Sequence, residues 1–192
     1  MSAQAYTLFA TAIGVFGVAW NERGIVGVEL PQSGERETRA RLLRRFPSAI
    51  DEPPPPAVRS AIDGMVALLG GEARDLTAVV LDLGGLPAFD LGVYRIARTI
   101  PPGETLTYGE IAIGLGEPGA ARAVGRALGA NPFPIVVPCH RVLGAGGKVG
   151  GFSARGGVAT KARLLSIEGA RTNAAPLLFD DLPITVRSGR PA

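Results

Sequence analysis

The chain has 192 residues, of which 46% are hydrophobic and 19% are charged, with a formal net charge of +3. These totals suit one large domain or two small ones, and the single cysteine and single histidine exclude an internal disulfide and a zinc site. No apolar run approaches membrane-spanning length and the start of the chain lacks the layout of a signal peptide, so we expect a soluble protein in a reducing, intracellular (cytoplasmic) setting.

The charge is unevenly distributed along the chain. Residues 1–85 carry eight arginines against ten acidic groups, whereas residues 86–170 carry nine basic groups against five acidic ones. A basic second half is expected if that half binds a polyanion. A solvated charge imbalance explains an excess of this size about equally well.

The first half has the pattern of a small α+β domain. Short β-rich segments separated by turn residues predict an antiparallel meander, and two later stretches have helical spacing. The predicted strands are 6–11, 15–20, 25–30 and 79–83, and the predicted helices are 35–46 and 57–69. A Gly-Gly-Leu-Pro break at 84–87 ends the domain, which we place at residues 1–85. The arginines of helix 35–46 could touch nucleic acid, but a solvated helix face is the favoured interpretation.

The second half begins with three predicted helices in succession. A helix is predicted at 88–100, and Thr107 and Glu110 have the spacing of a capping box that would start a short helix at 108–115. After Gly116 and Pro118-Gly119, a second short helix is predicted at 120–128. Two short helices joined by a tight Gly/Pro turn have the outline of a helix-turn-helix.

The second of these helices is nearly free of bulky side chains. Ala121 and Ala123 are typical of its composition, while Arg122 and Arg126 lie four residues apart on one face. Small residues let a helix backbone approach a narrow groove, and arginines reach phosphates. Tight packing against another helix would explain the alanines equally well, but not the paired arginines.

The adjacent Cys139 and His140 are the strongest chemical signal. We predict that the apolar run 135–137 is a buried strand stopped by Pro138, so that the thiol emerges at a turn beside a proton relay. A cysteine reacts as its thiolate, which a neighbouring His or Arg charge favours. A half-buried structural thiol remains the alternative. Glycine-rich residues follow at 143–157, then a predicted helix at 158–168 and a tail at 171–192.

Several spaced motifs in this half resemble the O6-alkylguanine-DNA alkyltransferase family. The sequence Pro138-Cys139-His140-Arg141-Val142, preceded by Asn131-Pro132, is similar to that family's active-site signature. The resemblance extends from about Phe89 to Gly169. It implies a ribonuclease-H-like α/β domain at 1–85, a mainly helical, winged helix-turn-helix-like DNA-binding and alkyl-transfer domain at 86–170, and a tail at 171–192.

The resemblance also implies the reaction and its residues. A flipped guanine in double-stranded DNA would lose its O6-alkyl group to Cys139 in an irreversible SN2 step, so the protein would act once per lesion without a metal or other cofactor. Glu168, His140 and a water would form a relay to Cys139, Asn131 would brace its turn, and Arg141 would be structural. Tyr108 would assist rotation of the phosphate and hydrogen-bond the flipped base. Arg122 would fill the space that the base leaves in the minor groove, with Ala121, Ala123 and Arg126 beside it. The lesion pocket would be lined by Val142, Ser153 and Phe152. We expect a monomer.

Three other functions fit parts of the sequence. A lesion-binding relative without repair activity would replace the cysteine, which is present here. A cysteine hydrolase would need a direct nucleophile–base pair, which adjacent residues cannot readily form. A plain DNA-binding regulator would leave Cys139 and Glu168 without a role.

Overall fold

Three strands at the start of the chain form the predicted antiparallel meander. They are β1 (Ala5–Thr11), β2 (Gly14–Asn21) and β3 (Gly24–Glu29), in a computed structural model that describes residues 3–170. Gly14 and Gly24 begin β2 and β3 with positive φ angles, which a side chain would disfavour. The predicted tail, 171–192, lies outside the described residues.

Helices cover this sheet and a short fourth strand extends it. Helix α1 (Glu35–Arg45) leads to β4 (Ile50–Asp51), which pairs in parallel with β1 and gives the strand order β3-β2-β1-β4. Helix α2 (Pro56–Leu69) follows and buries Ile62 and Met65. The described residues therefore have a mixed α/β architecture, with six α-helices in all.

The predicted strand at 79–83 is wrong. The segment makes only an isolated β-bridge, between Leu81 and Ile25. In this bridge Ile25 N donates to Val80 O, and Asp82 N donates to Ile25 O. The Asp82 carboxylate turns back to accept from Gly84 N (3.0 Å), and this local turn stops the extended pairing.

The second half contains the predicted pair of short helices. After α3 (Ala88–Arg98) and the two-residue strand β5 (Leu106–Thr107) come α4 (Tyr108–Gly114) and α5 (Ala121–Gly129), which pack against each other. The capping box at the start of α4 is confirmed: Thr107 accepts from Glu110 N (3.1 Å), and the Glu110 carboxylate accepts from Thr107 N (2.6 Å).

The predicted strand before the cysteine is also wrong. Residues 135–137 are buried as expected, but they form a turn in which Ile135 has a φ of 75° between Pro134 and Pro138. The two prolines remove the amide donors that a strand needs on either side. Cys139 therefore begins a short 3-10 helix, Cys139–Arg141.

The last elements of the described chain pack around this turn. Strand β6 (Val142–Leu143) pairs in parallel with β5, and helix α6 (Val158–Ile167) packs against the 3-10 helix. A single buried cluster joins the two halves of the chain, and β3 bonds directly to the turn before the cysteine through Val28 N and Pro132 O (2.9 Å). Within residues 3–170, no helix has the length and apolar content needed to cross a membrane.

Candidate active site

Cys139 lies in the wall of a cavity of about 260 Å³ between the two halves of the chain. The residue is only 8% exposed, and it lines this cavity. The volume is near the lower end for small-molecule sites, roughly 300–1,000 Å³. The turn that carries Cys139 is held by Asn131, which donates to Val137 O (2.9 Å) and accepts from Phe133 N (2.9 Å).

Behind the thiol, three ionisable side chains form a buried network. His140 Nε2 lies 2.9 Å from Glu168 Oε1, and Arg141 donates to both oxygens of Glu168 at 2.8 Å through Nε and Nη2. Arg141 Nη1 also donates to Ile100 O (2.6 Å), which ties the network to the end of α3. Each of the three side chains is 7% exposed or less. A bidentate Arg–carboxylate pair of this kind fixes geometry as well as charge.

The network sets the protonation state of the histidine. Burial lowers the pKa of His140, so the ring is neutral at pH 7 despite the Glu168 carboxylate. Burial opposes ionisation of Glu168, but the hydrogen bonds from His140 and Arg141 and the charge of Arg141 outweigh it and lower the pKa of Glu168 to about 2. Because a carboxylate only accepts, the neutral ring carries its proton on Nε2, and Nδ1 has the lone pair.

The unprotonated ring nitrogen is available as a base. His140 Nδ1 is buried and makes no hydrogen bond within the described part of the chain. An unpaired buried acceptor is unfavourable, and its usual explanation in a folded protein is a role in chemistry or a bound water. A nitrogen in this state can accept a proton.

The surroundings of Cys139 have opposing effects on the pKa of its thiol. Burial raises the pKa of Cys139, whereas a hydrogen bond from Asn131 and the positive charge of Lys161 lower it. Arg141 does not activate the thiol directly, since its guanidinium is bound to Glu168 and Ile100. The thiol thus remains protonated at neutral pH and needs a base before it can react.

Lys161 is a residue of the site that sequence reasoning missed. Its side chain is fully buried, Nζ donates to Val142 O (2.5 Å), and Nζ lies 3.5 Å from the Tyr108 hydroxyl. A signal was present, because Lys161 precedes Leu164 and Leu165 by three and four residues and so lies on the buried face of α6.

The predicted lesion-pocket residues come together around the cavity, with one exception. Tyr108, Phe152 and Ser153 line it, and Ser153 Oγ donates to Gly129 O (2.9 Å) at the end of α5. Burial raises the pKa of Tyr108, and the nearby Cys139 adds a smaller effect in the same direction, so the hydroxyl keeps its proton. Val142 is buried beneath the cavity, with its carbonyl bound to Lys161.

Apart from Tyr108, the predicted DNA-binding residues lie elsewhere, on α5. Arg122 and Arg126 are exposed, Ala121 and Ala123 are half-buried, and none of the four lines the cavity. The same helix reaches the cavity through Gly125 and Leu128. One short helix therefore presents its arginines to solvent, and Gly125 and Leu128 to the thiol pocket.

A further part of the cavity lining comes from the first half of the chain, for which no site residue was predicted. It includes Glu29, Gln32, Arg41 and Arg45, on β3, the following loop and α1. Periodicity predicts these elements, but not the face that they turn to a distant segment. Among residues 3–170, no group of three or more His, Cys, Asp and Glu side chains could hold a metal ion.

Comparison with known proteins gives a consistent result. Residues 88–170 match the family model "6-O-methylguanine DNA methyltransferase, DNA binding domain". The chain is 48% identical over 128 residues (67% of this chain, 75% of the relative) to the methylated-DNA--protein-cysteine methyltransferase of Mycobacterium tuberculosis H37Rv. It is 36% identical over 153 residues (80% and 78%) to that of Methanothermobacter thermautotrophicus.

Solved structures show the same similarity. The crystal structure of M. tuberculosis OGT in complex with DNA aligns with a TM-score of 0.68 and 38% identity, covering 86% of this chain and 92% of that one. The O6-methylguanine-DNA methyltransferase of Pyrococcus kodakaraensis aligns with a TM-score of 0.65 and 26% identity, covering 86% and 99%.

Proposed function

The chain belongs to the methylated-DNA--protein-cysteine methyltransferase family, and on that premise we propose that Cys139 is the residue that accepts the alkyl group. Its function is direct-reversal DNA repair, in which an alkyl group leaves damaged DNA for a protein cysteine. The observation that carries the assignment to Cys139 is its position in a cavity wall next to a buried, neutral histidine with a free ring nitrogen.

The chemical step is an SN2 displacement at the alkyl carbon. A bond forms between Cys139 Sγ and that carbon as the bond from the carbon to guanine O6 breaks. His140 Nδ1 takes the thiol proton, through a bridging water, while Glu168 stabilises the imidazolium that forms, as a triad carboxylate does. Tyr108, kept protonated by burial, is a donor to the departing guanine.

The product cannot return to the starting thiol. A thioether without an activating group does not leave at neutral pH, and the described site offers nothing that would hydrolyse one. Each molecule of protein is therefore consumed by one lesion. The transfer requires no metal or other cofactor.

DNA would meet the protein at the exposed face of α5. The atom to be attacked lies inside the base stack, so the guanine must be flipped out to reach a cavity of this kind. Arg122 and Arg126 would contact the minor groove, where Arg122 would fill the space left by the base. Ala121 and Ala123 allow the close approach.

The finer description of the fold belongs to the same proposal. Residues 1–85 would form a ribonuclease-H-like α/β domain, and residues 86–170 a winged helix-turn-helix-like domain. The match of the family model to residues 88–170 supports this boundary. A monomer in a reducing cytoplasm completes the proposal, because the acceptor thiol must stay reduced.

The decisive experiment measures the intact mass of the protein after incubation with a duplex that contains one O6-methylguanine. We expect a gain of one methylene group per protein, mapped to Cys139, that does not increase with excess DNA. The Cys139→Ser variant should bind the same duplex without a gain in mass. Tight binding by the wild-type protein without any gain would instead identify a lesion sensor.

A further inference from the structure

An apolar groove of about 340 Å³ lies between α3 and the segment that leads toward it, residues 77–83. Leu81 and Leu83 line the groove from that segment, and Leu91 and Tyr94 line it from α3. The three leucines are only half-buried, and none of the described residues lines both this groove and the cavity of the thiol. Apolar surface left open within a polar rim can mark an interaction site.

Two arginines of α3 give this groove a basic rim. Arg98 Nη2 donates to Thr77 O (2.5 Å) and to Val79 O (2.9 Å), which fixes its guanidinium at the groove, and Asp75 lies near it. Arg95 lines the groove three residues earlier and is exposed, and within residues 3–170 it makes no hydrogen bond or ion pair. Its guanidinium is therefore available to a carboxylate, which guanidinium donors bind well.

The described part of the chain ends close to one end of the groove. Arg141 donates both to Glu168, two residues before the end at Ala170, and to Ile100 O at 2.6 Å. Ile100 directly follows Thr99, which lines the groove. Because a single side chain bridges these two points, the residues that follow 170 start beside the Thr99 end of the groove.

The chain continues with a stretch whose chemistry matches the groove. Between Pro176 and Pro183 it reads Leu177-Leu178-Phe179-Asp180-Asp181-Leu182, which combines four bulky apolar side chains with the only two acidic residues after 170. Proline fixes φ, so prolines on both sides lower the entropy that such a stretch loses on binding. The six residues 171–176 can span up to about 20 Å. This exceeds the length of the groove along α3, which is about 12 Å at 1.5 Å per residue.

Two other recesses of the described chain match this stretch less well. The recess on the α2 side of the segment 77–83 contains Asp63 and Asp75 with a single arginine, so it would repel an acidic pair. The recess that contains Arg155 and Arg163 is basic, but the end of α6 does not contribute to it. The groove on α3 is therefore the one that combines an apolar floor, an unpaired arginine and a position near the point where the chain continues.

We propose that residues 177–182 dock in the α3 groove of their own chain, with their leucine and phenylalanine side chains on its leucines and with Asp180 or Asp181 paired with Arg95. The docked segment covers the half-buried leucines and supplies the carboxylate that Arg95 lacks. It also ties the two walls of the groove together. This contact is independent of the reaction at the thiol.

The direct test is a cross-link in the full chain carrying Arg95→Lys, which keeps the charge and introduces an amine. A carbodiimide joins an amine to a paired carboxylate as an amide, and the reagent takes up the water that is lost. The native lysines compete little, because Lys161 is fully buried and Lys148 is the only other one. We expect peptide masses to show a link within one chain from position 95 to Asp180 or Asp181.

A matched control and a second measurement keep the test specific. Arg59→Lys is the control, since Arg59 is an exposed arginine on α2 that does not line the groove, and it should give no link to the acidic pair. Hydrogen exchange then tests the apolar contacts. Phe179→Ser should speed amide exchange in the segment 77–83 by about threefold or more, because exchange follows the free energy of local opening. Val186→Ser, which lies after the docked residues, should leave that exchange unchanged.

Three results would overturn the docking. These are the absence of a link from position 95 to the acidic pair, a link of equal yield in Arg59→Lys, and a link found only between two copies of the chain. Equal exchange of the segment 77–83 in wild type, Phe179→Ser and Val186→Ser would exclude the apolar contacts. Thermal melting of each variant confirms that the compared proteins are folded.

Discussion

Lys161 Nζ donates a 2.5 Å hydrogen bond to the carbonyl oxygen of Val142, three residues after the cysteine. This contact joins the last helix of the site to the segment that carries the thiol. It also places a buried positive charge close enough to Cys139 to lower the pKa of the thiol against the effect of burial. Lys161 thus supports both the shape and the charge of the site.

Replacement of Lys161 by methionine should slow alkyl transfer. The change removes the charge that favours the thiolate, and each unit by which the thiol pKa rises lowers the thiolate fraction about tenfold. We expect a loss of about tenfold in single-turnover rate and a similar loss in reaction with iodoacetamide. Lys148→Met is the control, because Lys148 is an exposed lysine away from the cavity lining. Equal rates for the two variants would exclude an electrostatic role for Lys161.

Replacement of Glu168 by glutamine should destabilise the fold. Arg141 would remain buried without a carboxylate partner, and breaking a buried ion pair from one side costs about 3–5 kcal/mol. Denaturant unfolding measures this loss. A double variant with Arg141→Met should recover part of the stability, because no unpaired charge then remains. If Glu168→Gln melts like the wild type, the pair contributes no net stability.

The stability contributed by Glu168 should also depend on pH. Its pKa in the folded protein is about 2, below its ordinary value, since the hydrogen bonds from His140 and Arg141 and the charge of Arg141 overcome the effect of burial. The contribution is therefore complete above about pH 4.5 and is lost as the pH falls toward 2. The difference in unfolding free energy between wild type and Glu168→Gln should shrink over this window. A constant difference would show that the carboxylate is not ionised in the fold.

His140 should make the protein less stable just below neutral pH. Burial lowers its pKa in the fold, so the unfolded chain binds a proton first as the pH falls below about 6.5. Stability then falls with pH by up to about 1.4 kcal/mol per unit. Because this is the sole histidine, unfolding curves between pH 7 and 5.5 report on it almost alone. The slope should disappear in His140→Gln, and a wild-type curve that is flat over this range would contradict the assignment.

Replacement of Arg122 by alanine should weaken base flipping without changing the fold. Arg122 is exposed on α5, so we expect a stability change within about 0.5 kcal/mol. If it contacts a phosphate, the slope of log affinity against log salt should also fall by about 0.9. A 2-aminopurine beside the lesion reports flipping by fluorescence. Arg59→Ala, an exposed arginine on α2, is the control, and identical signals from both variants would place the DNA contact elsewhere.

Local patterns identified much of the site before the structure. Thr107 and Glu110 predict the start of α4 because a capping box acts within one helical turn. The spacing of Arg122 and Arg126 predicts a shared exposed face for the same reason. The adjacent Cys139 and His140 mark the reactive turn, although the strand predicted before them is a turn with a strained Ile135. Apolar runs of this length report burial but not backbone conformation.

The sequence alone determined the helix pair, the position of the candidate thiol and the family that its motifs resemble. Only the tertiary structure decided that Glu168 and Arg141 form one buried pair, that Lys161 lies near the thiol, and that Glu29 and Arg41 help to line its cavity. Capping and helical spacing act between residues a few positions apart, so they can be seen in the sequence. A cavity between two halves of a chain is made by packing, which brings together side chains that no local pattern connects.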